Sequence, residues 1–289
     1  MTLRCEADTH HMHIRRALPV CLLLLGLLAS RADAQFRVAD PAPGESFHVE
    51  LGMMFWKPGP GIIIGSDSLN AVDPAGVDFV QEFAIADKRF NEFRGVLKGG
   101  KHKLRVSHVD LHYNEAAVLQ RTIVFGGRTF NINANATADV EWDVWRLAYE
   151  HDFVAMDRGL FGIILGANIN HVVADLRATS GATTMTSLTD ENVTVPTLGV
   201  IGRVYPHKNV SITAEFTGFK MPGFLARKLF DDENADAHLK DLDIYVTGSI
   251  TRFFGIQGGY RWLTADYVLE SDSGDLEMKG PYLGAMVRF

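Results

Sequence analysis

Three polar residues at alternate positions form a compact group of acid–base and metal-binding side chains: His108, Asp110 and His112. In an extended strand these positions share one face, with about 7 Å between successive members. Imidazoles and carboxylates can bind a metal ion or exchange a proton. Neighbours along one strand face are too far apart to chelate a metal without a third element. The trio is therefore a candidate polar site for which we predict no metal and no cofactor, and polar filling of a face away from lipid is its simplest role.

Catalytic sequence motifs are missing from the chain. It contains no Gly-x-Ser-x-Gly, Ser-x-x-Lys or His-Glu-x-x-His pattern. Ser107 and His108 are sequential, so a strand would place them on opposite faces. A protease at an outer rim would need paired Asp and His residues, and the sequence offers for this only Asp139, Asp143 and either His171 or His238. We predict no catalytic residues and no enzymatic activity.

A second group of polar side chains alternates with apolar residues in segments of strand-like pattern. The members are Glu50, Glu92, Arg94, Arg146, Glu150, Arg203, Glu215, Gln257, Arg261 and Arg288. Alternation places all of them on the face opposite the apolar one. Both signs of charge are present, so these side chains are expected to pair across a narrow lumen. A structural, ion-paired interior is the prediction, with a narrow conduit for small polar solutes as its alternative.

The elements that position these residues are strands. From Val210 to Gly218 every second residue is apolar or glycine, while the intervening residues are Ser, Thr or Glu. The preceding run alternates in the same way and is joined to it by the short turn 206–209, as in a hairpin. Ten strands follow from such patterns: 47–57, 78–98, 101–125, 128–152, 159–177, 194–206, 208–219, 239–252, 253–270 and 275–289.

The connections between these strands are short at one end and long at the other, as in membrane barrels. The longer ones are 58–77, 178–193 and 220–238, and the loop 221–236 has the spacing of a short amphipathic helix. The two strands that meet at Gly126-Gly127 predict a hairpin projecting around 114–140, in which Val140, Trp142 and Val144 become the outward residues. The predicted fold is all-β: a transmembrane antiparallel up-and-down barrel of about ten strands, with eight to twelve as the range.

The beginning of the chain has the pattern of an export signal. Arg15 and Arg16 precede an apolar run over 17–29, and Ala32-Asp33-Ala34 forms a small-x-small cleavage site. We predict a signal peptide over 1–34 and a barrel domain over 35–289. Both cysteines, Cys5 and Cys21, lie in this leader, which excludes disulfides and thiol chemistry from the mature chain. Without the leader, 24 basic and 32 acidic residues remain, and this acidic balance argues against a nucleic-acid partner.

The end of the chain carries the most specific motif. Tyr282, Gly284, Val287 and Phe289 form an alternating segment that closes on an aromatic residue. This segment resembles the carboxyl-terminal assembly signal of small monomeric outer-membrane barrels of Gram-negative bacteria. The runs 87–94 and 101–105 are also similar to uncharacterised barrels.

The resemblance implies residence in the cell outer membrane and insertion by the barrel assembly machinery. It also implies contact with outer-membrane lipid and lipopolysaccharide, and it leaves a small polar solute or a surface partner as the ligand. The expected role is structural or surface-interactive. A narrow channel is the first alternative and a lipid-modifying enzyme the second.

Overall fold

The computed structural model of the chain describes residues 45–66, 77–125, 128–156, 158–180, 183–220, 236–269 and 272–289. The predicted signal peptide and the Gly126-Gly127 turn lie outside the described residues. The loop predicted over 221–236 also lies outside the described residues, apart from Asp236.

Extended segments dominate the described chain, and one short helix interrupts them. The elements are β1 (Val49–Trp56), β2 (Gly59–Ser66), β3 (Val77–Asp78), α1 (Phe79–Phe83), β4 (Phe90–Gly99), β5 (His102–Val118), β6 (Ile123–Phe125), β7 (Arg128–Phe130), β8 (Asn135–Met156), β9 (Gly159–Ser180), β10 (Thr183–His207), β11 (Val210–Lys220), β12 (Asp236–Ser249), β13 (Phe254–Leu269) and β14 (Asp272–Arg288).

Ten of these strands close into a cylinder. Their order is β1-β4-β5-β8-β9-β10-β11-β12-β13-β14, and β14 pairs back to β1. Every pairing is antiparallel, and at the closing seam Glu50 lies opposite Arg288 and Trp56 opposite Tyr282. The prediction of a closed, ten-stranded antiparallel barrel is confirmed.

An apolar belt surrounds the cylinder. On β14 the outward positions from Phe289 up to Pro281 are apolar, and the next outward residue is Lys279. On β12 the outward run from Ile250 to Leu242 is followed by Lys240. Nine residues match the roughly 9–11 that a tilted strand needs to cross a bilayer. No helix among the described ranges is long and apolar enough to do so.

Four strands continue above the belt and form what we call the outer wall: residues 110–118 of β5, 135–143 of β8, 171–180 of β9 and 183–196 of β10. The prediction of a loop over 178–193 was wrong. Instead, β9 and β10 remain paired in this region, from Val195 opposite Asn168 up to Thr183 opposite Ser180. The projection thus involves two hairpins, rather than only the one predicted around 114–140. Within the described residues, β8 and β9 are paired on both sides above the membrane, whereas β5 and β10 form the two edges of the outer wall.

The outward residues of β8 also differ from the prediction. Val140, Trp142 and Val144 are buried and face inward, whereas Asp139, Glu141 and Asp143 face outward. The strand keeps one alternation from Asn135 to Asp152. The prediction failed because the outward face meets water above the belt, so the apolar residues there belong to the interior.

Strand β2 and helix α1 lie at the outer end of the barrel. Residues 58–77 were predicted as a loop, but β2 pairs with the upper part of β14. The strand predicted over 78–98 begins only at Phe90, because Asp78 caps α1 by accepting a hydrogen bond from the Gln81 amide at 3.0 Å. The helix ends at Ala84, whose φ is +51°. Phe79 and Phe83 of this helix are buried in the apolar interior of the outer wall.

Substituting Gly284 with valine tests the closing seam. A Cβ at this position would overlap the Met53 carbonyl oxygen and the Met54 sulfur. We therefore expect purified Gly284→Val to refold poorly in detergent, where no assembly machinery is present, as measured by the fraction that migrates faster on a gel without boiling. Gly202→Val is the matched control, since a Cβ there has no atom within 4 Å. Refolding equal to that of the control would show that the glycine acts only in recognition by the assembly machinery.

Candidate functional site: the barrel interior and the outer rim

The membrane-spanning half of the interior is filled by ionisable side chains, here called the lumen network. Its acidic members are Glu45, Glu50, Glu92, Glu150, Asp152, Glu215, Asp241 and Asp243, and its basic members are Arg94, Lys98, Lys103, Arg105, Arg146, Arg203, Arg261 and Arg288. Each has a partner of opposite sign. The eight negative and eight positive charges balance, so the network is neutral as a whole.

Arg261 is one of the most deeply buried members of this network. Its guanidinium forms two hydrogen bonds with Asp241, at 2.9 and 2.7 Å, and a third with Glu92 at 3.0 Å. The side chain is 3% exposed. Charged groups removed from water need this degree of pairing, because desolvation otherwise outweighs the attraction between them. The planar guanidinium of Arg can satisfy two carboxylates at once, which explains its use here.

From Arg261 and Asp241, ion pairs continue toward the periplasmic mouth. Arg146 contacts Glu215 and Asp241, and Arg105 bridges Glu215 and Glu150 at 2.7 and 2.9 Å. Lys103 extends the chain to Glu45, which also binds Lys98 and Arg203 near the periplasmic mouth. These contacts join non-adjacent strands across the lumen, so the network braces the cylinder.

All ten residues predicted to line the lumen lie in the interior. Nine belong to the lumen network, and Gln257 joins it by donating to the Tyr282 hydroxyl at 2.9 Å. That hydroxyl in turn donates to Asp243 at 2.9 Å. Tyr282, predicted as part of the assembly signal, therefore also contacts the charged interior, whereas Val287 and Phe289 face outward and are exposed.

Of the seven other members, Asp152 follows from the same alternation as Glu150, and sequence reasoning missed the remaining six: Glu45, Lys98, Lys103, Arg105, Asp241 and Asp243. A usable signal existed for Asp241 and Asp243, which alternate with the outward Leu242 and Ile244. Near the tight turn at Gly99-Gly100 the signal was weaker, since only Leu97, Leu104 and Val106 alternate there with the basic residues. Glu45 precedes the first strand, so strand periodicity could not place it.

The outer half of the interior is apolar. Above the lumen network lies a buried cluster that includes Trp56, Leu111, Tyr113, Trp142, Leu263 and Met278. A cavity of about 40 Å³ among the lumen-network residues borders Arg94, Arg105, Glu215 and Tyr245, which is room for a few waters. The interior is thus filled by a charged layer below and an apolar layer above.

The predicted trio lies on the outer surface of β5, and the structure does not bring its members together. The His108 Nε2 atom is 2.7 Å from Asp143 Oδ1, and its ring stacks on Trp145 with a centroid distance of 4.2 Å. His112 Nε2 is 2.8 Å from Asp139 Oδ1. Each histidine is therefore paired with a carboxylate of the neighbouring strand. The part of the chain that the structure describes holds no group of three or more His, Cys, Asp or Glu side chains able to bind a metal.

The other acid–base candidates fall in two places: His171 lies opposite Asp143 in the register of β8 and β9, whereas His238 is on β12. His171 of β9 is paired with Asp190 of β10 at 2.9 Å. His238, on β12, is 3.0 Å from Asp236. The last pair lines an open outer cavity of about 460 Å³ together with Asp266 and Asp275. Burial and the neighbouring carboxylates of Asp266 and Glu277 raise the pKa of Asp275.

No known protein family and no curated protein matches the chain. Among solved structures, the outer membrane protease OmpT from Escherichia coli is 7% identical, covers 83% of this chain and 96% of its own, and has a TM-score of 0.47. The toluene transporter TodX from Pseudomonas putida is 6% identical, with 87% and 93% covered and a TM-score of 0.39. The attachment invasion locus protein Ail of Yersinia pestis is 10% identical, with 84% and 99% covered and a TM-score of 0.32.

These likenesses are too distant to transfer an activity, and the strand pairing of the chain itself defines its class. A closed antiparallel barrel with an apolar outer belt and a polar interior is a transmembrane β-barrel of the outer-membrane type. The protein is a small outer-membrane β-barrel protein of ten strands.

Replacing Arg261 with methionine tests the bracing role of the lumen network. The variant removes one ion-pair partner from each of the buried carboxylates of Asp241 and Glu92. We therefore expect the free energy of unfolding, measured in urea, to be about 3 kcal/mol lower than that of the wild type. Arg177→Gln is the control, because Arg177 pairs with Asp175 on the exposed surface. We expect the control to unfold at the wild-type urea concentration. Equal midpoints for Arg261→Met and wild type would show that the interior contributes no bracing.

Proposed function

We propose that the protein is an exported barrel of the Gram-negative outer membrane with a structural or surface-interaction role, and that its barrel interior serves stability rather than transport. Residues 1–34 would act as the cleaved export signal, and Tyr282, Gly284, Val287 and Phe289 would direct assembly. The observation that supports this proposal most directly is that side chains fill the barrel interior. A neutral, fully paired lumen network offers no excess charge to attract an ion, and an apolar cluster lies above it.

The outer wall supports the surface-interaction part of the proposal. It extends the four strands well beyond the lipid belt, and its outward face is polar while its inward face is buried. Asp110, Asp139, Glu141, Asp143 and Asp190 give this outward face an acidic character. Long-range attraction would therefore favour a partner with a cationic surface.

A narrow channel is the alternative, favoured by the water-sized cavity beside Arg94, Arg105 and Glu215. Recording single-channel currents in planar bilayers separates the two functions. We expect the wild-type barrel to show no discrete openings, because the network and the apolar cluster obstruct the lumen. The double variant Arg203→Ala/Arg261→Ala, measured in parallel, is the positive control that shows whether the assay detects an opened lumen. Regular wild-type openings that these substitutions enlarge would contradict the proposal and establish a pore.

The proposal includes no enzymatic activity. Mass spectrometry of lipid A from cells with and without the protein tests this part of the proposal. An acyl chain or headgroup that changes with the protein would replace the proposal by the lipid-modifying alternative, and the outer cavity with Asp236 and His238 would then be the first place to substitute.

A further inference from the structure

The first polar residue above the apolar belt differs in charge around the barrel. It is Lys220 on β11, Lys240 on β12 and Lys279 on β14, each directly above a run of nine residues whose outward members are apolar or glycine. On β8 and β9 the residues at the same place are Asp143 and His171. The sign of the charge at this level therefore changes from one side of the barrel to the other.

Two further basic residues complete the positive side. Lys57 follows the last outward apolar residue of β1, and its amide donates to the Pro281 carbonyl at 3.0 Å, beside Lys279. Arg89 precedes β4, with its guanidinium carbon 5.9 Å from the Phe55 ring centroid. We call Lys57, Arg89, Lys220, Lys240 and Lys279 the cationic arc. All five are exposed, and they follow one another along the wall from β11 through β14 to β1 and the start of β4.

An aromatic pair lies on β13, between the strands that carry Lys240 and Lys279. The outward rings of Tyr260 and Trp262 on β13 are 4.3 Å apart, and Trp262 is opposite Lys279 in the strand register. Tyr and Trp prefer the boundary between acyl chains and headgroups, where an apolar ring and a polar tip are both satisfied. The arc therefore lies at the depth of lipid headgroups.

We propose that the cationic arc binds the phosphate groups of an outer-leaflet glycolipid of the bis-phosphorylated lipid A class. Lysine and arginine are the side chains that recognise phosphate. Lys240 and Lys279 are two strands apart and offset by two residues in the register of β13, which separates their backbones by about 12 Å at the usual strand geometry, so they can contact separate phosphates on one disaccharide headgroup. The aromatic pair and the apolar belt below supply the contact for acyl chains, which a soluble phosphate compound lacks.

One competing contact must yield for this binding. Lys279 Nζ is 2.6 Å from Glu277 Oε1, and both side chains are well exposed. Exposed ion pairs of this kind are weak, so a lipid phosphate can share or displace the carboxylate. Among the residues that the structure describes, no carboxylate forms an ion pair with the other four basic residues of the arc.

The test uses the full mature barrel in detergent micelles and fluorescently labelled bis-phosphorylated lipid A. We expect Lys57→Gln/Lys240→Gln/Lys279→Gln to bind this lipid about tenfold more weakly than wild type, since each exposed charge contributes modestly. The matched control is Lys101→Gln/Lys208→Gln/Arg252→Gln, which removes three positive charges near the periplasmic end. Gel mobility without boiling confirms that each variant is folded.

Three results would overturn the proposal. They are unchanged affinity in the first triple variant, an equal loss in the control, and equal wild-type affinity for dephosphorylated lipid A. A further binding measurement adds millimolar inorganic phosphate as a competitor of the lipid. Complete displacement of the lipid by this ion would also contradict the proposal, because it would show a simple phosphate site without a lipid contribution. A variant-specific loss that inorganic phosphate does not mimic supports the lipid site.

Discussion

Backbone hydrogen bonding in hydrocarbon is the constraint on which the whole structure depends. A strand edge left open in lipid would expose unpaired amide and carbonyl groups at a cost of several kcal/mol each. The chain meets this requirement with its last residue: the Phe289 carbonyl accepts from the amides of His48 and Val49 at 2.7 and 3.0 Å, and the Phe289 amide donates to Val49 at 2.8 Å. Closure of β1 against β14 fixes the cylinder, and the cylinder then determines which side chains meet inside it.

Both faces of the wall change character at the same level. On β8, Trp145 faces lipid and Arg146 faces the lumen, whereas one step higher Asp143 faces water and Val144 is buried. On β13, Arg261 lies in the lumen network while Leu263 belongs to the apolar cluster. A single unbroken alternation produces both arrangements, because the surrounding solvent changes from hydrocarbon to water. The charged layer and the apolar layer are thus consequences of one boundary.

This inversion also explains what could and could not be predicted from the sequence. Strand number, direction and the inward side of Arg203, Glu215 and Arg261 follow from period-two alternation, which the belt enforces. Above the belt the apolar residues face inward and the polar residues face outward, so Val140 and Trp142 were assigned to the wrong face. The capped helix after Asp78 and the extended pairing at Thr183 depend on tertiary neighbours. Pairing of Arg105 with Glu215 across the lumen depends on three-dimensional closure, which no local pattern encodes.

The most direct test is a nitroxide scan of β12, which is practical because the sequence after residue 34 contains no cysteine. Spin labels would be placed singly at positions 241–246 in lipid bilayers, and collision with oxygen and with a water-soluble nickel complex would be measured. The account predicts oxygen accessibility at the even positions and low accessibility to both reagents at the odd positions. Accessibility without a period of two, or nickel contact at the even positions, would contradict a lipid-facing belt around a filled barrel.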